Sequence, residues 1–157
     1  MTPRIELLAE KKLVGCQLEM SLSEDRTVEL WKEFGPRIKE LNNRVSNDRI
    51  SLQIYPPEYH QKFHPSHNFV KWAAVEVVGF ENIPSGLDSL ILRTGQYAVF
   101  NYKGKPSEIT PVFHYIFNQW IPNSKYCIDD RPHFELIGLN YNITNAAEEI
   151  WIPIKHK

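Results

Sequence analysis

Apolar and polar positions alternate along much of this chain. From Ile50 to Tyr55 the alternation is strict, with Ile50, Leu52 and Ile54 against Ser51, Gln53 and Tyr55, which is the two-residue period of a half-buried strand. Extended character also runs from Arg4 to Met20, interrupted at Gly15, and again over Phe69 to Val78, Ser89 to Arg93, Gln96 to Tyr102, His133 to Leu139 and Glu149 to Ile154. Two segments switch to helical spacing. Val28, Trp31, Phe34, Ile38 and Leu41 form the first stripe, behind the helix-start residues Ser23-Glu24-Asp25. Gly35-Pro36 must kink or split that helix, because proline lacks a donor and clashes with the preceding turn. Ile109, Val112, Phe113, Ile116 and Trp120 form the second stripe, with Ser107 or Thr110 as cap, Pro111 in the first turn and Ile121-Pro122-Asn123-Ser124 as its end. The polar stretch Tyr141 to Ala147 joins the last two strands.

Strand, helix, strand, strand thus occurs twice. The expected class is α+β, a single domain over residues 1–157 with repeat one at about 3–80 and repeat two at about 87–155. The copies would be related by a pseudo-twofold, with antiparallel sheets. A helix covers one face of each sheet, so the open faces can meet across a ligand cleft between the halves. If Phe134, Leu136, Ile150, Ile152 and Ile154 face the helices, alternation sends Glu135, Ile137, Glu149 and Trp151 to the cleft. In the first copy, Leu52 and Ile54 take the helix side while Gln53 and Tyr55, with Trp72, Ala74 and Glu76 of the next strand, turn to the cleft.

Composition narrows the chemistry. With 157 residues, 42% of them apolar and 24% charged, the chain can bury one ordinary core. A net charge of −1, with Lys and Arg dispersed, argues against direct nucleic-acid binding. Met1-Thr2-Pro3-Arg4 leads into alternating residues and no apolar run approaches a membrane span, so the expectation is a cytoplasmic protein without a membrane partner. Cys16 and Cys127 lack CxxC spacing and read as unlinked thiols. His60, His64 and His67 approach metal-ligand spacing, but Pro56, Pro57 and Pro65 make their segment an exposed loop, so they read as surface histidines. Asp129-Asp130 reads as a solvated turn. Neither a metal nor a cofactor is expected.

Glu135 stands out. It sits within His133-Phe134-Glu135-Leu136-Ile137, an otherwise strand-like run, and a lone carboxylate moved into an apolar interior costs several kcal/mol or more unless compensated. The compensator could be a buried cation such as Arg93 or Lys71, a set of hydrogen-bond donors, or a cationic ligand. Trp31, Phe113 and Phe117 lie on helices and read as core, and Trp120 reads as core that can edge into the pocket floor. Glu148 is an alternative to Glu149.

Several runs carry a family resemblance. Gly95-Gln96-Tyr97-Ala98-Val99-Phe100, Trp120-Ile121-Pro122-Asn123-Ser124, Pro132-His133-Phe134-Glu135 and Glu149-Ile150-Trp151-Ile152-Pro153-Ile154 resemble the effector-binding domain of AraC-type and MerR-type multidrug regulators, the GyrI-like family. Glu29 to Ile38 and Lys71 to Val77 agree, so the resemblance covers nearly the whole chain. It implies a hydrophobic pocket between two halves, where a glutamate on the penultimate strand meets lipophilic cations and aromatic rings sandwich the flat ligand. By position Glu135 matches that glutamate. Glu149 and Trp151 match a second acidic position and its aromatic neighbour, and Tyr55 and Trp72 match more loosely. The expected ligand-binding set is Glu135, Ile137, Glu149, Trp151, Tyr55, Trp72, Gln53, Tyr97 and Trp120.

The resulting expectation is a stand-alone small-molecule-binding protein for lipophilic, cationic or aromatic compounds, since the chain leaves no room for a helix-turn-helix domain before its first strand. It would sequester such compounds or sense them for a regulatory protein partner. Two alternatives stay open. One is a hydrolase of cyclopropane-type genotoxins with Glu135 as general base, assisted by Glu149 or Tyr97. The other is an interaction module resembling the gyrase inhibitor.

Overall fold

The segments of strand period become one continuous antiparallel sheet. In the computed structural model, which describes residues 1–138 and 146–157, the order is β1 (Arg4–Leu8), β2 (Lys11–Met20), α1 (Thr27–Phe34), β3 (Arg49–Ile54), β4 (Phe69–Val77), β5 (Asp88–Leu92), β6 (Gly95–Gly104), α2 (Thr110–Tyr115), β7 (Tyr126–Ile128), β8 (His133–Ile137) and β9 (Ala146–His156). The expected strand-helix-strand-strand order is found in β2-α1-β3-β4, whereas in the second half a short additional strand, β7, stands between α2 and the pair β8-β9. Leu139 and the polar join from Tyr141 to Asn145 lie outside the described residues. β7 was not foreseen, and the extended run near the N-terminus breaks at Ala9-Glu10 rather than at Gly15. Gly15 lies inside β2, where a Cβ would run into the backbone of Ala73 and Ala74; a glycine in a strand interior commonly marks such close approach.

Helix boundaries follow local chemistry. The Asp25 carboxylate accepts the Thr27 N–H at 2.9 Å just before α1. α1 ends at Phe34, and Gly35-Pro36 opens a short 3-10 turn through Glu40, as a proline that cannot continue the α-helical hydrogen bonds requires. Its buried face is Leu30 and Phe34, while Val28 is 68% exposed, so the first stripe is displaced from the one the spacing suggests. α2 opens with Pro111 but without the side-chain cap expected from Ser107 or Thr110. It runs on through a wider π-type turn (Ile116–Trp120) into a last turn at Ile121–Asn123.

The sheet order is β1-β6-β9-β8-β3-β4-β2-β5, with β7 added on β9. The two halves meet edge to edge through β3 and β8, in the register Ser51 to Glu135, Leu52 to Phe134 and Gln53 to His133. This replaces the expected face-to-face packing, since pairing the two strands satisfies backbone groups that two open edges would expose. β1 and β2 sit near opposite ends of this order yet are linked by two residues, as are β5 and β6. Two linking residues span at most about 11 Å, so the sheet must curl until its ends approach.

Curling buries both faces. The inner face closes on a core of Leu13, Leu52, Trp72, Tyr97, Phe134 and Trp151, among others. The outer face carries the helices: Leu30 and Phe34 of α1 pack on Val14, Cys16, Val75 and Val77, and Ile116 packs on Phe100, Ile150, Ile152 and Ile154. No helix among the described residues is long and apolar enough to cross a membrane.

Candidate functional site: a groove over the central strands

Between the two helix-covered flanks, β3 and β8 run along the middle of the outer face. Directly opposed residues in antiparallel strands share a face, so the register places Glu135 in a row with Ile150 of β9 and Ser51 of β3. The next rows are His133, Gln53 and Lys71 on one side, and Arg49, Ile137 and Glu148 on the other. Among the described residues the buried polar or charged side chains are Ser21, Ser51, Gln53, His133 and Glu148, and all but Ser21 lie in this patch. Four of the five lie together, and this concentration marks a chemically distinct part of the molecule.

Gln53 Nε2 donates to Glu135 Oε2 at 3.0 Å. Glu135 is half-buried, and none of the ion pairs formed by the described residues includes it. Arg93, one candidate counter-ion, turns instead to the Asp130 carbonyl at 3.4 Å. Lys71 stays on the same face and is felt by Glu148. Burial, reinforced by the negative charge of Glu135, pushes the Glu148 carboxyl up to about 7, with Lys71 opposing. The groove thus holds two neighbouring carboxyl groups, one of which tends to keep its proton near neutrality.

Aromatic rings close the end of the groove next to Glu135. The Tyr55 ring meets His133 edge-on at 4.9 Å and His60 at 4.8 Å. The His60 ring stacks at 4.9 Å on Phe117 and at 5.1 Å on His133. Burial first, then Glu135, raises the Tyr55 phenol, so it stays protonated. Burial pushes His60 down to about 4. His133 is held well below the ordinary histidine range by burial, then by His60 and Arg131. Both imidazoles are neutral at neutral pH.

These shifts set opposing pH dependences. As pH falls below about 6.5 the unfolded chain takes up protons that native His133 refuses, and that native His60 refuses down to about 4, so stability falls as pH falls, by at most about 1.4 kcal/mol per pH unit for each ring. Glu148 acts oppositely: native protein holds its proton to about 7 while the unfolded chain releases it near 4.5, so its contribution falls as pH rises through that range. In Glu148→Gln only the histidine slope remains. Urea midpoints of that variant should drop more steeply than wild type from pH 6.5 to 4.5, and parallel profiles would contradict the assignment.

Of the residues expected from the sequence, the groove gathers Glu135, Ile137, Gln53 and Tyr55. The others lie elsewhere. Phe134 opposes Trp151 and Glu135 opposes Ile150, so Trp151 and Glu149 sit on the inner face, not beside Glu135. There Glu149 accepts from Arg4 Nη2 at 2.7 Å and from Trp151 Nε1 at 3.1 Å. Trp72 and Tyr97 belong to the same inner core, with the Tyr97 hydroxyl donating to the Pro132 carbonyl at 2.8 Å. Phe134, Leu136 and Leu52 are also on that side, against the expectation that they face the helices. Trp120 packs edge-on against Phe100 at 5.3 Å and over Tyr126 at 6.1 Å, within the helix-side core.

His60, His133, Phe117 and Glu148 were not in the expected set. His133 had a usable signal, two residues before Glu135 and hence on the same strand face. Glu148 had one in the register of β9. His60 had none, and it is not the surface histidine its proline-rich context suggested. Its two loop companions diverge from it: His64 Nδ1 meets the Ser66 hydroxyl at 2.7 Å, and His67 stacks on Tyr59 at 5.5 Å.

Comparison with known proteins gives a consistent picture. A family model described as the GyrI-like small molecule binding domain matches residues 1–155. The fold is similar to SAV2435 bound to tetraphenylphosphonium, with TM-score 0.78, 18% identity and coverage of 99% of this chain and 94% of that one. It is similar to the EcmrR C-terminal domain, with TM-score 0.75, 12% identity and coverage of 99% and 98%. A bacterial transcription regulation protein from Staphylococcus aureus MU50, so described only provisionally, gives TM-score 0.69, 20% identity and coverage of 99% of both chains. No curated protein matches the chain by sequence.

Proposed function

The chain belongs to the GyrI-like small-molecule-binding domain family, and from that premise we propose that it binds lipophilic organic cations in the groove over β3 and β8, to sequester or to sense them. The observation that carries this reading is Glu135: a half-buried carboxylate at the centre of the sheet, hydrogen-bonded by a neutral amide and bordered by Tyr55, His133 and Phe117. A neutral donor fixes the carboxylate without consuming its charge, and partial desolvation strengthens its attraction for a cation. Ring faces add about 0.5–2 kcal/mol each to a cation held over them. They are broad and weakly directional, so many ligands of this class fit. The SAV2435 structure, similar in fold, was determined with the lipophilic cation tetraphenylphosphonium, which makes that ion the natural probe.

Calorimetric titration of the wild-type chain should show tetraphenylphosphonium binding about tenfold or more tightly than triphenylphosphine oxide, a neutral compound of related shape. Equal affinities would remove the charge from the recognition and overturn the reading.

A further inference from the structure

The segment between β3 and β4 sends His60 into the groove rather than into solvent. Its ring lies near-parallel to both Phe117 and His133, at interplanar angles of 19° and 28°. The Phe117 and His133 centroids are 6.1 Å apart, so the three centroids form a triangle, with His60 roofing a shelf of two adjacent rings. Tyr55 walls the shelf edge-on, and Glu135 stands two residues along β8 from His133, on the same face.

Resting on the reading of this groove as a cation site, we propose that the Phe117–His133 shelf is its ring-binding subsite, that His60 is a built-in occupant of that subsite, and that planar polycyclic aromatic cations bind by displacing it.

Three features support this. His60 fills the shelf as a flat ring, the shape the shelf selects. It is neutral, its pKa pushed down to about 4 by burial, so it occupies the ring position while leaving the charge of Glu135 for an incoming cation. It is also poorly satisfied: His60 Nε2 and His133 Nδ1 are buried with no hydrogen-bond partner among the described residues, as are Tyr59 Oη and His67 Nδ1 of the same segment. A buried polar atom without a partner weakens the contact that buries it. Turns hold the segment locally, through Tyr59 N to Pro56 O and Lys62 N to Glu58 O, both at 3.0 Å. Ser23 N to Pro65 O at 2.9 Å and the packing of Tyr59 beside Phe69 anchor the segment outside the groove, while among the described residues His60 itself is held by ring contacts alone.

The test compares 10-methylacridinium, which is planar and cationic, with tetraphenylphosphonium, which is cationic and not planar, by fluorescence and calorimetric titration. His60→Ala should tighten 10-methylacridinium about tenfold, since two stacked contacts no longer compete, and change tetraphenylphosphonium by less than about twofold. No tightening, or equal tightening of both cations, overturns the subsite. A measurement on the wild-type chain covers the case in which His60→Ala perturbs folding. Saturating 10-methylacridinium should accelerate tryptic cleavage after Lys62, whose side chain is 72% exposed, because displacement loosens the segment. Unchanged or slowed cleavage overturns the displacement. Glu135→Gln separates this proposal from its premise: loss of the cation preference only there supports the premise, whereas planar selectivity that responds to His60 without any response to Glu135 overturns the premise and leaves the shelf.

Discussion

Replacing Glu135 by glutamine is expected to weaken tetraphenylphosphonium binding roughly tenfold to a hundredfold, while triphenylphosphine oxide stays within about twofold. Two unit charges about 5 Å apart interact by roughly 3 kcal/mol at an effective dielectric of 20. Competing solvation of the half-buried carboxylate reduces what binding can recover to about 1.5–3 kcal/mol, hence the stated range. Glutamine has nearly the same shape and keeps a carbonyl oxygen for Gln53 Nε2, now 3.0 Å from Glu135. The substitution therefore removes charge with little change in packing. A circular dichroism melt within a few degrees of wild type would verify this. Equal losses for the cation and the neutral compound would assign Glu135 a structural role. An unchanged cation affinity would move the site away from β8.

Trp151→Ala is expected to cost about 3–5 kcal/mol of stability, with little direct effect on ligand contacts in whatever fraction remains folded. Trp151 is 8% exposed, stacks on Phe134 at 5.2 Å and 15°, and meets Tyr97 edge-on at 5.7 Å. Arg4 lies over its ring at 5.9 Å, and its indole N–H donates to Glu149. Truncation would enlarge a cavity of about 270 Å³ that this ring already borders with Phe134, Leu136 and Ile50. The surrounding sheet is fixed by its hydrogen bonds and collapses poorly into the space. Trp151→Phe, which keeps a ring, should lose far less. Urea unfolding monitored by far-UV dichroism measures both costs. A stable Trp151→Ala protein with greatly weakened ligand binding would instead return Trp151 to the binding site.

The contrast between Glu135 and Trp151 shows how much of the site could be read from residues alone. Alternation correctly grouped Glu135 with Ile137, and Gln53 with Tyr55, because side chains two apart on a strand share a face regardless of what the strand packs against. It could not say which groups share a face across strands. Moving β8 by one residue relative to β9 would put Glu135 beside Trp151, and the pairing of Phe134 with Trp151 decides otherwise. Apolar content gave no help, since both faces of the curled sheet are covered and Phe134 and Ile150 are equally at home on opposite sides. His60 is a different case. A loop residue carries no periodicity, so its arrival on Phe117 and His133 has no counterpart in local sequence.

By itself the sequence determined the strand-helix-strand-strand order, the split of the first helix at Gly35-Pro36, the family, and the anomaly of Glu135. These follow from local periodicity, backbone chemistry and motif order, all short-range properties of the chain. Only the tertiary structure decided that the halves join through β3 and β8, that the groove lies on the helix-bearing face, and that Glu148 and His60 rather than Glu149 and Trp151 are its companions. Strand register and sheet curvature are set by contacts between residues far apart in the chain, where alternation fixes the parity of a side chain but not its neighbour.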